Sequence, residues 1–111
     1  MGQPAPKPPT YGFSGAQING QPVAPNMNVP NGNIVFTATA TVQGHSFVVS
    51  IVSVNGPFHV LSAGLTTQNY PNLTATWTNY NIVGNGQILR VEEYDPLLDT
   101  WTTTDTFINI T

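Results

Sequence analysis

Apolar residues alternate with threonine in two separate stretches of this chain. In residues 34–42 apolar side chains stand at the even positions from Phe36 to Val42, with a threonine between each pair. Residues 73–78 repeat the pattern, with Leu73, Ala75 and Trp77 at the odd positions. A repeat of two residues is typical of an extended strand, whose successive side chains point to opposite faces. Each stretch is therefore predicted to form a strand with one buried face.

Further strand patterns follow between clusters of turn residues. Residues 47–54 are apolar at nearly every position, as in a central strand, and residues 58–61 form a short one. Residues 87–94 and 100–110 are predicted to form a hairpin, and Gly84-Asn85-Gly86 a tight turn before it. No stretch has the apolar spacing of a helix. We therefore expect an all-β fold, a small antiparallel β-sandwich of six to eight strands.

The N-terminal part of the chain differs because it is rich in proline. Seven of the ten prolines lie in residues 1–33, and proline removes a backbone donor and fixes φ. Residues 1–16 are predicted to form an extended, polyproline-like arm, and residues 17–111 the sandwich domain, with the main sheet starting at residues 31–33. A disordered tail is the alternative. The arm residues expected to contact a partner are Pro4, Pro6, Pro8, Pro9, Tyr11 and Phe13.

The chain carries very little charge. Charged residues make up 6% of the 111 residues, against about 25% in ordinary soluble domains. Only Lys7 and Arg90 are cationic, and the formal net charge is −3. Nucleic-acid binding needs several cations on the phosphates, so that function class is excluded, as is polybasic attraction to membranes. No apolar run reaches the roughly 18 residues of a membrane span.

The absence of cysteine excludes disulfides, thiolate nucleophiles and cysteine metal sites. The abundance of threonine and asparagine is typical of proteins that work outside the cell. The chain nevertheless begins at Met1 with a proline-rich segment in place of an apolar leader. We therefore expect a virion component, or alternatively a mature extracellular domain.

Residues 72–78, with a buried Trp77, and the hairpin over residues 89–103 resemble part of an immunoglobulin-like or fibronectin type III sandwich. The resemblance implies a two-sheet fold, and the lack of cysteine excludes its disulfide-bonded members. Residues 91–102 resemble the hairpin of a kelch propeller blade, but a propeller needs several copies of about 50 residues. We interpret this second resemblance as coincidental: Asp95-Pro96 starts a turn, across which Tyr94 pairs with Trp101.

All five acidic residues lie between Glu92 and Asp105. Glu92, Asp95 and Asp99 are a candidate set of oxygen ligands for Ca²⁺. The alternative is a turn whose aspartates cap their own backbone, and we prefer it because the spacing lacks the pattern of a calcium loop. Glu92 and Glu93 are adjacent on a strand and point to opposite faces, so they cannot act as paired catalytic carboxylates.

No local motif organises a nucleophile with a base. His45 is expected to be exposed beside the Gln43-Gly44 turn, and His59 to be partly buried. We predict no catalytic residues, no metal site and no cofactor, and hence a protein that is not an enzyme. Three aromatic residues form a candidate platform for stacking on sugar rings: Tyr80, Tyr94 and Trp101.

The sequence favours a structural protein of a virion surface, a capsid decoration or fibre module, attached through its N-terminal arm. Its partners would be capsid proteins or like subunits, in a homo-oligomer or a larger assembly. One alternative is an extracellular carbohydrate-binding or adhesion module. Another is a surface-filament subunit assembled by strand addition, although the arm's prolines lack the N–H groups that a donated strand needs.

Overall fold

The computed structural model describes residues 12–53, 59–65 and 71–111. The predicted arm up to Tyr11, including its four prolines, lies outside the described residues. The described part contains no helix, and therefore none long and apolar enough to cross a membrane. It contains nine strands: β1 Phe13–Ile18, β2 Gln21–Pro22, β3 Met27–Val29, β4 Gly32–Ala40, β5 Ser46–Ser53, β6 His59–Leu65, β7 Asn72–Tyr80, β8 Gly84–Asp95 and β9 Thr100–Ile110.

The strands form two sheets that enclose one hydrophobic core. One sheet has the order β2-β1-β4-β7, and the other has the order β3-β9-β8-β5-β6. All neighbours are antiparallel except β3 and β9, which pair in parallel. Both sheets contribute to one buried cluster, with Phe36 and Trp77 from the first sheet and Ile51, Leu89 and Ile108 from the second. The predicted all-β sandwich is confirmed.

The two threonine-alternating strands pair with each other. In β4, Phe36, Ala38 and Ala40 are buried, and in β7 the inward residues include Ala75 and Trp77. The threonines between them face away from the core, as the period of two predicts. Val42 was expected to continue the buried face of β4 but is exposed. The strand ends at Ala40, and the chain has already entered the turn at residues 43–44.

The sheet begins earlier in the chain than the proline content indicated. β1 begins at Phe13, which pairs with Ala40 of β4, so residues 13–16 belong to the sheet and not to the arm. The Phe13 ring packs edge-on against Phe47, with ring centroids 6.1 Å apart. Phe13 therefore contacts its own domain, because packing on the core removes the ring from water. The Asn19-Gly20 turn then joins β1 to β2, with positive φ at both residues.

The predicted turn at residues 84–86 is part of a strand. β8 starts at Gly84, and its pairing with β9 shifts register between Gly84 and Gln87. Gly86 has a φ of 76°, a conformation that glycine adopts without strain. Glycines in this arrangement form a β-bulge, which bends a strand without ending it.

Candidate functional site

The β8–β9 hairpin ends in a turn that its own aspartate holds. The Oδ1 atom of Asp95 accepts hydrogen bonds from the backbone N–H of Leu97 at 2.9 Å and of Leu98 at 3.4 Å. Asp99 closes the turn with a φ of 52°. This is the backbone-capping arrangement that we preferred over calcium ligation. Among the described residues, no group of three or more histidines or acids is placed to hold a metal ion.

The same turn presents three large apolar side chains to solvent. Leu97 is 93% exposed, Leu98 is 72% exposed and Trp101 is 56% exposed. We call these three residues the apolar tip. Single exposed leucines are common, but here three large apolar side chains within five residues are exposed, and clusters of exposed apolar side chains mark interaction sites.

A ring pair and a hydrogen bond fix the base of the apolar tip. Tyr94 lies directly opposite Trp101 across the hairpin, with ring centroids 5.1 Å apart and planes inclined at 44°. The predicted cross-strand pair is thus confirmed. The Tyr94 hydroxyl donates to Asp99 Oδ1 at 2.6 Å. This hydrogen bond is the main cause of a raised pKa of Tyr94, with smaller contributions from burial and from the Asp95 charge.

A buried carboxylate joins the start of β1 to the hairpin. Glu93 is 4% exposed, and its Oε1 and Oε2 atoms accept hydrogen bonds from the Gly12 N–H at 2.8 and 2.9 Å. The His45 Nδ1 atom lies 2.5 Å from Glu93 Oε2. We call the contact between Gly12, Glu93 and His45 the Glu93 clasp. A side chain at position 12 would overlap the carboxylate, so the clasp requires glycine there.

His45 is enclosed between two carboxylates, contrary to the exposed position expected for it. Its side chain is 15% exposed, and its Nε2 atom lies 3.6 Å from Asp95 Oδ1. A buried carboxylate needs hydrogen-bond partners, and the imidazole supplies one. One sequence signal indicated that Glu93 is buried. Glu93 stands at an odd position of β8, as do the buried residues Leu89 and Val91, so the period of two places it inside the sandwich.

The start of β1 and the apolar tip lie at the same end of the sandwich. Glu93 contacts Gly12 only two residues before Asp95 begins the turn. The Gly12 carbonyl also accepts a hydrogen bond from Thr41 N–H at 2.7 Å, next to the turn that carries His45. We call this the hairpin end. Gly12 therefore lies at the same end of the domain as the apolar tip.

The three aromatics predicted as a sugar platform do not come together. Tyr94 and Trp101 lie at the hairpin end, whereas Tyr80 is buried at the end of β7, where it pairs with Gly32. Asn79, just before it, has a φ of 58°, and this left-handed residue breaks the alternation and turns Tyr80 inward. Burial raises the pKa of Tyr80. Its hydroxyl has no hydrogen-bond partner within the described ranges.

The outer face of the first sheet carries a shallow polar groove of about 370 Å³. The groove lies where the β1–β4 register shifts between Ser14 and Gln17. None of the described residues that line it is aromatic or titratable. Its side chains are hydroxyls, amides and small apolar groups, contributed by Gln17, Thr37, Ala38, Thr39, Asn72, Leu73 and Thr74.

No protein-family model matches the chain, and no curated protein sequence matches it.

Proposed function

We propose that this protein is a non-enzymatic structural module of a virion surface, a capsid decoration or fibre module that attaches to a protein partner through the hairpin end. One observation carries the proposal: the root of the N-terminal arm, held by the Glu93 clasp, lies beside the apolar tip. A proline-rich arm and an apolar turn that leave the same end can contact one partner together.

The apolar tip has the properties of a protein contact. Burying a leucine side chain stabilises a complex by about 1.5–3 kcal/mol, and tryptophan is enriched among the residues that dominate interfaces. The Asp95 cap and the Tyr94 hydroxyl hold the turn in one conformation before any partner binds. Binding therefore loses little conformational entropy at this site.

The rest of the described surface suits a life outside the cell. Threonine and asparagine occupy the exposed positions of β4 and β7, whereas those of β9 also include Trp101, Asp105 and Phe107. Arg90 pairs with Asp105 through two hydrogen bonds of 2.8 and 2.9 Å, so the one described cation is already neutralised. A surface of hydroxyls and amides with few charges gives little long-range attraction to nucleic acid or to anionic lipid.

The strand order further supports an immunoglobulin-like or fibronectin type III relationship for the sandwich. The order β1-β4-β7 facing β9-β8-β5-β6 corresponds to strands A, B and E facing G, F, C and an added C′ strand. The buried Trp77 lies on β7, not on the strand C where immunoglobulin domains carry theirs. In this scheme the apolar tip is the loop between the last two strands.

A carbohydrate-binding or adhesion module is the second candidate, and the exposure of Trp101 favours it. An exposed indole ring is a suitable surface for a sugar ring. The neighbouring Leu97 and Leu98 offer no hydrogen bonds from their side chains, and the Tyr94 hydroxyl already binds Asp99. Because sugar recognition needs polar partners beside the ring, a protein contact fits the tip better.

The test is attachment of the purified protein to virus particles produced by cells that express the gene. Immunogold labelling first asks whether the intact particles carry the protein. Particles stripped of it are then mixed with the full chain, with a chain starting at Gly12 and with the double variant L97S/L98S. We expect rebinding of the full chain and at least tenfold weaker binding of both altered chains.

The matched control is the double variant I82S/V83S. These two residues are also adjacent and exposed, but they lie before β8 at the opposite end of the sandwich. The control should bind as the full chain does. Unlabelled particles would overturn the virion assignment, and a glycan array that retains the full chain but not a W101A variant would establish the second candidate in its place.

A further inference from the structure

Strand β7 forms one edge of the first sheet along its whole length. It pairs with β4 on one side, and no strand pairs with its other side in the part of the chain that the structure describes. Thr76 and Thr78 are exposed and Thr74 is half-buried, so the outer face of this strand is open to solvent. β6, the edge strand of the second sheet, approaches β7 without pairing with it. From Thr74 to Thr78 this edge presents a row of backbone groups to which another strand can bond.

The register shows which backbone groups point outward. The Ala40 N–H donates to the Pro71 carbonyl at 2.6 Å, and the pairing continues with Ala38 opposite Leu73 and Phe36 opposite Ala75. In an antiparallel ladder, bonded pairs recur at every second residue. The odd-numbered residues of β7 therefore bond to β4, whereas the threonines at 74 and 76 direct their N–H and C=O groups away from it.

The strand lacks the features that usually prevent edge-to-edge pairing. β7 contains no charged residue and no proline, whereas natural edge strands are commonly protected by one or the other. The other edges are shorter or carry a charge. β2 has two residues and contains Pro22, β3 has three and is followed by Pro30, and β6 has seven. β3 covers β9 only at residues 108–110, and the remainder of β9 contains Asp105. β7, with nine residues, is thus the longest edge strand without a charged residue or a proline.

We propose that two copies of this chain pair antiparallel through β7, which joins their first sheets into one continuous sheet. The occupant is a second copy because the strand is complementary to itself. A two-fold axis at Thr76 places Thr76 opposite Thr76 of the second copy, and Thr74 opposite its Thr78. All of these are uncharged threonines, so no like charges meet, and Thr–Thr pairs across strands are favourable.

This inference goes beyond the proposed function and does not depend on it. The β7 edge runs along the side of the sandwich, whereas the arm and the apolar tip leave its hairpin end. A dimer formed through β7 would keep both hairpin ends accessible, so that one assembly could attach to its partner at two points. Loss of particle binding and loss of dimerisation can therefore be measured separately.

The experiment measures the molar mass of the full chain by light scattering behind size exclusion over a range of concentrations. We expect a dimer for the wild type. The single variants T76K and T76E should each be monomeric, because position 76 meets its own copy at the axis and like charges oppose each other. Mixing the two variants in equal amounts should restore a dimer, with a dissociation constant at least tenfold lower than that of either variant alone.

T103K is the matched control. Thr103 is an exposed threonine on β9 of the second sheet, away from the β7 edge, so the same substitution there should leave the dimer intact. Amide hydrogen exchange gives a second readout. The outward backbone N–H of residue 76 should be protected from exchange in the wild type and should exchange freely in T76K. A wild type that is monomeric at all concentrations, or variants that dimerise alone, would overturn the proposal. So would a mixture that remains monomeric.

Discussion

Both carboxylate oxygens of Glu93 accept hydrogen bonds from a single backbone N–H, that of Gly12, which lies 81 residues earlier in the chain. The contact joins the first described residue of the chain to the strand before the apolar tip. A buried carboxylate is stable only when it is well paired, and here a backbone amide and His45 provide the partners. This side chain, together with the hydrogen bond from Thr41 N–H to the Gly12 carbonyl, thus fixes the position of Gly12.

Replacing Gly12 by alanine should destabilise the protein by about 1–3 kcal/mol. The added methyl group would overlap the Glu93 carboxylate and push it away from its donors. Urea unfolding followed by tryptophan fluorescence measures the change. S14A, two residues along and exposed, is the control and should stay within about 0.5 kcal/mol of the wild type. Equal effects of the two substitutions would contradict the clasp.

Replacing Glu93 by glutamine should also be destabilising, by about 1.5–3 kcal/mol. Glutamine keeps the shape but removes the charge that strengthens the hydrogen bonds from Gly12 and His45. E92Q is the matched control because Glu92 stands next in the strand and faces outward. A change in E92Q as large as that in E93Q would show that net charge, and not the clasp, is responsible.

The two described tyrosines should respond in opposite directions to loss of the hydroxyl. Y80F should stabilise the protein by up to about 1 kcal/mol, since the buried Tyr80 hydroxyl has no partner among the described residues. Y94F should destabilise it, because it removes the hydrogen bond to Asp99. Thermal unfolding of the two variants side by side provides the measurement, and destabilisation of Y80F would be the contrary result.

The Tyr94 hydrogen bond also predicts a dependence on alkaline pH. The folded-state pKa of Tyr94 is raised, so its contribution is complete below the unfolded value of about 10 and is lost as pH rises through the folded pKa. Substituting D99N keeps an acceptor oxygen but removes its negative charge, which weakens the hydrogen bond and should lower this pKa. Tyrosinate absorbance during a pH titration of wild type, D99N and Y94F measures the change. An unchanged titration curve for D99N would be inconsistent with the geometry.

The ring pair at the base of the apolar tip should be visible in a double-mutant cycle. Y94A, W101A and the double variant should give a coupling of about 0.5–1.5 kcal/mol, which is typical of aromatic pairs in contact. A cycle between Trp101 and the distant Tyr80 is the control and should give a coupling near zero. If both cycles gave the same value, the Tyr94–Trp101 contact would not be the source.

Local patterns in the sequence predict the strands of this fold well. The alternation around Phe36 and Trp77 gives both the strands and the faces that they bury, because a period of two is a direct consequence of strand geometry. The turn at Asn19-Gly20 is equally local, since both residues tolerate positive φ. The pairing of Tyr94 with Trp101 could be predicted from the sequence because a short turn fixes the register of its hairpin.

Contacts between distant parts of the chain could not be predicted from local sequence patterns. The parallel pairing of β3 with β9 joins residues about eighty positions apart, and no local pattern marks it. The inward position of Tyr80 depends on the backbone of Asn79, which has a left-handed conformation. The alternation of apolar residues and threonine in β7 does not predict that conformation. Within the candidate site, the turn and the ring pair were predictable. The clasp between Gly12 and Glu93 was not, because it is decided by tertiary packing.

The parallel ladder of β3 and β9 has a mechanical consequence. The Thr111 N–H donates to the Val29 carbonyl and the Asn31 N–H donates to the Thr111 carbonyl, both at 2.9 Å, so residue 111 is bonded at the end opposite Gly12. Tension applied between a partner at the hairpin end and an attachment at residue 111 would run parallel to the strands. The hydrogen bonds of the ladders would then resist shear together instead of opening one after another.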